Sequence, residues 1–142
     1  MTKQTIARLH YLHGINLAYN QDKKNEYHRL ARQYLAYIAK LLGLPKGSFD
    51  VRSNMGGIAV SGEIALHADD VYVQMSQFPA MSNDILVRTC KSRKDFTGGQ
   101  NQWIPSDLIV DPFRFAEEVA RVMAEGRRMK GEVWFNGEKV DA

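Results

Sequence analysis

Two segments between Asn54 and Gln77 alternate apolar with polar residues, and this alternation constrains the fold more than any other feature. Successive side chains of a β-strand point to opposite faces, so each segment predicts a strand with one apolar and one polar face. The turn Ala68-Asp69-Asp70 between them predicts antiparallel pairing. The apolar positions are Ile58, Val60, Ile64 and Leu66, followed by Val71, Val73 and Met75. Most of the remaining chain is therefore expected to cover this apolar face.

The N-terminal part of the chain predicts two helices. Apolar residues that recur every three positions predict a first helix over Lys3–His13, ended by Gly14. The polar segment Asn16–Lys24 has no clear period and predicts a loop. From Asn25 a continuous apolar stripe predicts a helix of about five turns, with Gly43 placed to end it.

The C-terminal part predicts a third helix and a hairpin. Asp111 before Pro112 is a favourable helix start, because its carboxylate can cap free N–H groups and proline fits the first helical position. Gly126 is expected to end this helix. Beyond it, Val133-Trp134-Phe135 precedes Asn136-Gly137, the dipeptide most favoured in a two-residue hairpin turn.

The segments in between complete the predicted architecture. Phe49–Ser53 and Ile85–Cys90 predict further strands, Phe78–Asn83 predicts a loop, and Lys91–Pro105 predicts a long, polar, exposed loop. The sequence therefore predicts an α+β fold, an antiparallel sheet of about four or five strands with two N-terminal helices and one C-terminal helix packed on one face. Residues 1–142 are expected to form a single domain.

Composition narrows the class of protein. With 44% hydrophobic and 25% charged residues, the 142-residue chain matches a globular domain that can bury a core without metals or disulfides. Cys90 is the only cysteine, which excludes an intramolecular disulfide, and neither a signal peptide nor a membrane-spanning stretch is recognisable, so we expect a cytoplasmic protein. A net charge of +3 with a pI near 9.0 tilts the chain only mildly toward anionic partners.

The segment Arg93–Trp103 has the composition of an anion-binding loop. Cations attract phosphate, glycines can present backbone N–H groups, and aromatic rings can stack on a base. The spacing matches neither a Walker A loop nor the Gly-x-Gly-x-x-Gly dinucleotide fingerprint. The alternative is an ordered loop in which Trp103 and Ile104 anchor onto the core. The candidate ligand-binding residues are Arg93, Lys94, Gly98, Gly99, Gln100, Asn101 and Trp103.

A second glycine-containing segment, Arg52–Gly57, adds Arg52 and Asn54 to the candidate ligand-binding residues. In a simple meander it lies at the opposite end of the sheet from Gly98-Gly99. A composite pocket would therefore need another strand order or a neighbouring subunit. For this segment alone, a glycine hairpin turn is the stronger interpretation.

Catalytic and metal sites receive less support. Glu63 and His67 share a strand face but lie roughly 13 Å apart along it, too far for a direct acid–base pair. Tyr72 on the next strand could extend a polar cluster, yet a solvated sheet face is the simpler explanation of these residues. His10 and His13 are spaced to share a metal, but no motif supplies the further ligands that zinc needs. We therefore expect helix-surface histidines, no catalytic residues, no metal and no cofactor.

Two segments resemble those of small uncharacterised proteins encoded by bacteriophages, prophages and plasmids. They are Asp50–His67, with its Met-Gly-Gly-Ile-Ala-Val-Ser-Gly run, and Arg93–Trp103, and the similarity extends over most of the chain. The resemblance implies a setting rather than an activity. Small accessory proteins of mobile elements often counter host defence by binding a protein, a nucleic acid or a nucleotide signal, which favours binding over catalysis.

Three functional hypotheses follow. The first is a non-enzymatic binding protein that recognises a nucleotide or nucleic acid through its phosphates. The second is a protein-interaction module or inhibitor that engages a host protein with an exposed edge strand or with the polar sheet face. The third is a small hydrolase-like enzyme, and homo-oligomerisation is plausible for any of them. The polar sheet face comprises Ser61, Glu63, His67, Tyr72, Gln74 and Ser76.

Overall fold

The structure, a computed structural model, describes residues 1–77, 83–95 and 98–140. Its helices are α1 (Lys3–Gly14), α2 (Gln21–Leu41) and α3 (Pro112–Met129), and a short 3-10 helix over Ser106–Val110 precedes α3. Its strands are β1 (Phe49–Asn54), β2 (Glu63–Ala68), β3 (Val71–Ser76), β4 (Ile85–Thr89), β5 (Asn101–Ile104), β6 (Val133–Phe135) and β7 (Glu138–Val140).

Strands β1 to β5 form one antiparallel sheet in sequential order, and β6 and β7 form a separate hairpin. This order follows from the chain, because short connections place consecutive strands side by side. The α+β class, the antiparallel sheet and the three predicted helices are confirmed. The predicted hairpin turn is also confirmed, since Asn136 and Gly137 adopt φ values of 49° and 79°, as a type I′ turn requires.

The apolar core lies between the helices and one face of the β1–β5 sheet. Helix α2 packs on β1 and β2, α3 packs on β3 and β4, and α1 packs against α2 and the 3-10 helix. The fully buried strand residues that face the helices are Ile64, Leu66, Val71, Val73, Met75, Ile85 and Val87. In the described ranges, no helix is both long enough and apolar enough to traverse a bilayer.

The start of α2 corrects the sequence prediction. The expected loop Asn16–Lys24 ends early, because Asn20 caps the helix by accepting a hydrogen bond from the Lys23 N–H at 3.2 Å. Lys24 is consequently helical and buried, and its Nζ donates to the Gly57 carbonyl at 2.7 Å. Lys24, from a segment without a clear apolar period, therefore links α2 to the loop that contains Gly57. Gly43 follows the helix with φ of 71°, as predicted for a left-handed C-terminal residue.

The strand that the alternation predicts from Ile58 to His67 begins later than expected. Residues 55–62 form a loop, and the side chains of Ile58 and Val60 are 65% and 52% exposed. The late start has a backbone cause, because Gly56 and Gly62 adopt φ values of 62° and 72° that a strand does not accommodate. Only the second half of the alternating segment pairs, as β2.

Two further boundaries differ from the prediction. The predicted loop Lys91–Pro105 contains edge strand β5, which is too short and polar to show a recognisable period. Gly126 lies within α3, which continues to Met129. It faces the β2–β3 turn, where an added Cβ would lie 2.9 Å from the Asp70 carbonyl oxygen. Gly126 is therefore a packing residue. The predicted loop Phe78–Asn83 falls largely on residues 78–82, outside the described residues.

Candidate functional site

The face of the β1–β5 sheet that points away from the helices is called the open face. In the register of the sheet, every second residue of each strand projects from it. The core that the helices form lies on the opposite face, and on this side the central residues Ala65, His67, Tyr72 and Ser76 are at most 8% exposed, whereas Arg52, Asn54, Asn101 and Trp103 are exposed. Its side chains are Asp50, Arg52, Asn54, Glu63, Ala65, His67, Tyr72, Gln74, Ser76, Leu86, Arg88, Asn101 and Trp103.

One row of this face crosses the whole sheet. Arg52 pairs with Ala65, Ala65 with Gln74, Gln74 with Leu86, and Leu86 with Trp103. Four inter-strand steps of roughly 4.8 Å separate the two ends, so the Arg52 and Trp103 backbones lie about 19 Å apart. The cation and the aromatic ring therefore bracket an extended surface rather than one small pocket.

A second row places another cation beside the aromatic side chain. Arg88 of β4 is opposite Asn101 of β5 and opposite Tyr72 of β3. Trp103 is two residues from Asn101 along β5, so Arg88 and Trp103 are diagonal neighbours at roughly 7–8 Å between backbones. The indole is 43% exposed, whereas the Arg88 guanidinium donates to the Gly99 carbonyl at 3.1 Å.

The segment after β4 folds over one corner of the open face. The Nε2 of His67 donates to the Ser92 carbonyl at 3.0 Å. Arg93 reaches the same corner and forms a bidentate pair with Asp50, at 2.8 Å from Nε and 2.9 Å from Nη2. Its Nη1 donates to the Gly47 carbonyl. Arg93, the principal cation of the predicted loop, is therefore paired with Asp50, a carboxylate of the protein itself.

The other loop residues are dispersed. Lys94 and Gly98 are exposed beyond the corner of the sheet. Gly99 lies against β4, where an added Cβ would be 1.9 Å from the Thr89 carbonyl oxygen. The Gln100 N–H donates to the Thr89 hydroxyl at 3.1 Å. Gly99 and Gln100 therefore anchor the loop to the sheet, and the four residues do not form one cavity with Arg93.

Four of the predicted ligand-binding residues do share a surface. Arg52, Asn54, Asn101 and Trp103 all project from the open face. The Gly56-Gly57 loop lies at the opposite end of the sheet from Gly98-Gly99, as the meander predicts. Arg88 completes the group, although it was not among the predicted ligands. Its position on this face could be inferred from the sequence, because Leu86 and Arg88 alternate with the buried residues of β4.

His67 orients Arg52 on this face. Its Nε2 is a donor to Ser92, so its Nδ1 accepts from the Arg52 Nη2 at 3.2 Å. Burial lowers the pKa of His67, which keeps the ring neutral and the Nδ1 lone pair available. Because protein groups engage both ring nitrogens, His67 acts as a positioning residue for the Arg52 guanidinium.

Tyr72 and Gln74 form the centre of the open face. The rings of His67 and Tyr72 meet edge to face at 5.3 Å, and the Tyr72 hydroxyl donates to Gln74 Oε1 at 2.8 Å. Burial raises the pKa of Tyr72, so its hydroxyl stays protonated at neutral pH. Glu63 lies opposite Ser76, at the far end of β2 from His67. The three residues of the catalytic alternative are therefore not gathered at one point.

His10 of α1 lies near the surface as expected, with its side chain 36% exposed, but His13 and His28 do not. His13 is 1% exposed, and its Nδ1 lies 2.8 Å from the Tyr27 hydroxyl. His28 is 2% exposed and lies 2.7 Å from both the Ser53 hydroxyl and the Ser61 carbonyl. Their helix faces point toward the core, which sequence spacing alone did not reveal. Within the described ranges, no group of His, Cys, Asp and Glu side chains is arranged to hold a metal.

Stability is expected to fall between pH 6.5 and 5. Burial lowers the pKa of His13, His28 and His67 below the ordinary value of 6.5. Below pH 6.5 the unfolded chain therefore binds protons that the folded chain does not, and each histidine contributes a slope of at most about 1.4 kcal/mol per pH unit. Urea unfolding at successive pH values measures this dependence.

A histidine variant separates this effect from acid titration of carboxylates. Pairing with Arg93 and Arg8 lowers the pKa of Asp50 and Glu26, so their contribution is lost only at lower pH. His28→Gln is expected to lower stability at pH 7 and to flatten the slope between pH 6.5 and 5. An unchanged slope in His28→Gln would contradict the assignment of His28 as a neutral buried group.

The open face combines cations, amides and an exposed indole on a rigid sheet. Cations can contact phosphate, while indole rings stack on bases irrespective of their identity. Amide side chains can donate and accept hydrogen bonds at base edges. The arrangement therefore has the chemical groups for holding an extended anionic ligand that carries aromatic rings. Comparisons of the chain with protein-family models, with curated proteins and with solved structures found no match.

Proposed function

We propose that this chain is a non-enzymatic binding protein whose open face holds single-stranded nucleic acid through its phosphates and bases. The observation that carries the proposal is the position of the 43% exposed Trp103 on the same sheet face as Arg52 and Arg88. The resemblance to phage, prophage and plasmid proteins suggests a role in counter-defence within the cytoplasm of the host bacterium.

Chemistry supports a nucleic acid over an ordinary anion. A base stacked on an aromatic side chain contributes roughly 1–3 kcal/mol without sequence preference. Arg52, at the other end of the row, retains N–H groups beyond the one donated to His67, because a guanidinium has five. Gln74 lies between these ends on β3, and Asn101 lies two residues from Trp103 on β5; both carry amide groups that can meet base edges. The three kinds of contact match the base face, the phosphate and the base edge of a nucleotide.

The dimensions favour an oligonucleotide over a mononucleotide. The row from Arg52 to Trp103 spans about 19 Å, since strands are spaced roughly 4.8 Å apart. A mononucleotide stacked on Trp103 would reach Arg88 on the neighbouring strand but not Arg52. A strand of roughly four to six nucleotides would occupy both ends. Affinity is therefore expected to rise with length up to that size.

Trp103→Ala is expected to weaken binding of a fluorescein-labelled twelve-residue oligo(dT) by roughly tenfold or more, because a stacking contact is lost. Fluorescence anisotropy measures the affinity. The matched aromatic control is Trp134→Phe, since Trp134 lies under the Arg127 guanidinium away from the sheet. In the Trp134→Phe protein, Trp103 is the remaining one of two tryptophans, so quenching on titration with the oligonucleotide reports stacking directly.

Arg52→Ala is expected to reduce the salt dependence of the same binding. Each phosphate neutralised on a single strand contributes a slope of about −0.7 in a plot of log affinity against log salt, and the variant should lose about one such step. Arg128→Ala removes an equal charge from a 79% exposed side chain outside the open face and should retain the slope. Oligo(dT) binding that is unaffected by Trp103→Ala combined with Arg52→Ala would refute the proposal.

A further inference from the structure

A groove of about 540 Å³ runs between α2 and β1, at the outer edge of the sheet. One wall consists of α2 residues and the other consists of Ser53 and Met55. Its floor is fixed, because the buried His28 ring is hydrogen-bonded to the Ser53 hydroxyl at 2.7 Å. The groove is therefore a rigid feature that lies beside a sheet edge and is separate from the open face.

The helix wall of the groove is positively charged. Arg29 and Arg32 line it with exposed side chains, and neither forms an ion pair or a hydrogen bond within the described part of the chain. Glu26 also lines the groove, but its carboxylate is paired with Arg8 at 2.8 and 2.9 Å. Two arginines consequently remain available to an acidic ligand, since the local carboxylate is already neutralised.

The strand wall of the groove offers backbone groups. Strand β1 is the first strand of the sheet, so its outer edge has no partner strand in the described residues. Alternate residues of an edge strand point their N–H and C=O groups away from the sheet, ready to pair with another extended chain. The sequence Phe49–Asn54 contains no proline that would block such pairing.

We propose that β1 and α2 bind an extended, acidic peptide segment of a partner protein, which adds a strand to the sheet edge. The peptide backbone pairs with β1, and acidic side chains at every second position face Arg29 and Arg32. A guanidinium can hold a carboxylate through two parallel hydrogen bonds, which supplies the specificity that the backbone pairing lacks.

The groove favours a peptide over a nucleic acid. Outward N–H and C=O groups of β1 repeat at the spacing of an extended polypeptide. No Trp, Tyr or Phe lines the groove in the described ranges, so bases would have no ring on which to stack. The groove lining shares no residue with the row from Arg52 to Trp103, although Arg52 belongs to β1. The peptide test therefore changes Arg29 and Arg32, which the nucleic-acid tests leave unchanged.

The test is selection from a displayed library of random twelve-residue peptides on the full chain, followed by anisotropy with the selected peptides. We expect enrichment of sequences with acidic residues at alternate positions. Arg29→Glu combined with Arg32→Glu should weaken their binding by roughly tenfold or more, because like charges then face each other. Lys40→Glu combined with Arg128→Glu makes the same charge change at exposed positions outside the groove and should retain binding.

Backbone pairing has its own readout. Methylation of single peptide nitrogens removes one donor at a time, so binding should be lost with a two-residue period along the peptide. The absence of acidic enrichment, equal binding to the Arg29→Glu/Arg32→Glu protein, or indifference to backbone methylation would each overturn the proposal. The proposal would also be overturned if the groove selected no acidic peptides but bound twelve-residue oligo(dT) in a manner that depends on Arg29 and Arg32. Trp103→Ala should leave peptide binding unchanged, which separates this result from the open-face test.

Discussion

Asp70→Asn is expected to lower the free energy of unfolding by about 2–3 kcal/mol and to loosen the C-terminal hairpin. Asp70 is 5% exposed in the β2–β3 turn and accepts from the Arg127 Nε at 3.0 Å and from Lys130 Nζ. Loss of one partner from a buried ion pair costs roughly 3–5 kcal/mol. A loss somewhat below that range is expected here, because the Arg127 and Lys130 side chains are 22% and 23% exposed.

The hairpin depends on this carboxylate through Arg127. The Arg127 guanidinium lies 3.4 Å from the centre of the Trp134 ring, a cation–π contact between α3 and β6. The variant leaves both cations without their buried partner, so the stacked arrangement should become less ordered. Urea unfolding gives the stability change, and Trp134 fluorescence in a Trp103→Phe background reports the hairpin.

Glu118→Gln is the matched control for Asp70→Asn. Glu118 is paired with Arg121 on the exposed surface of α3, at 3.1 Å. Surface pairs of this kind contribute at most about 1 kcal/mol, so the same carboxylate-to-amide change should have a small effect there. An Asp70→Asn effect equal to that of Glu118→Gln would show that the turn carboxylate does not hold the end of α3.

Gly62→Ala is expected to lower the free energy of unfolding by roughly 2–4 kcal/mol, the sum of backbone strain and overpacking. Gly62 has φ of +72°, which a residue with a Cβ adopts at a cost. The added Cβ would also lie 2.4 Å from the Asn54 carbonyl oxygen and 2.6 Å from that of Met55. These are backbone atoms of the β1 end, so the loop itself would have to move.

Gly57→Ala is the control for this substitution. Gly57 belongs to the same loop, but no atom lies within 4 Å of a Cβ placed there. Its φ is not among the positive glycine values. Both variants can be compared by urea unfolding, and Gly57→Ala should differ little from the parent chain. Equal effects of the two substitutions would show that the loop accommodates a side chain at position 62 and that its geometry is not decisive.

The successful sequence predictions concern features with local causes. Strand β3 and the second half of the Asn54–His67 segment follow from period-2 alternation, and α1 follows from apolar residues repeated along one helix face. The Asn136-Gly137 turn follows from the conformational preferences of those two residues. In each case the residues that determine the structure are neighbours in the chain.

The candidate site shows where such inference stops. Trp103 and Arg52 were identified from composition, but their common face depends on the register of five strands. Arg93 had the same composition signal as Arg52, yet it pairs with Asp50, 43 residues away in the chain. No local pattern distinguishes a cation on an exposed sheet face from one that pairs with a carboxylate of its own protein.

The sequence by itself determined the α+β class, the existence of three helices and of the C-terminal hairpin, and one apolar sheet face, because periodicity and turn chemistry act over a few residues. Only the tertiary structure decided that Ile58 and Val60 leave the sheet, that His13 and His28 are buried, and that the open face rather than the glycine loop gathers the cations and the indole. These outcomes depend on contacts between distant segments, whose geometry is set by packing of the whole chain.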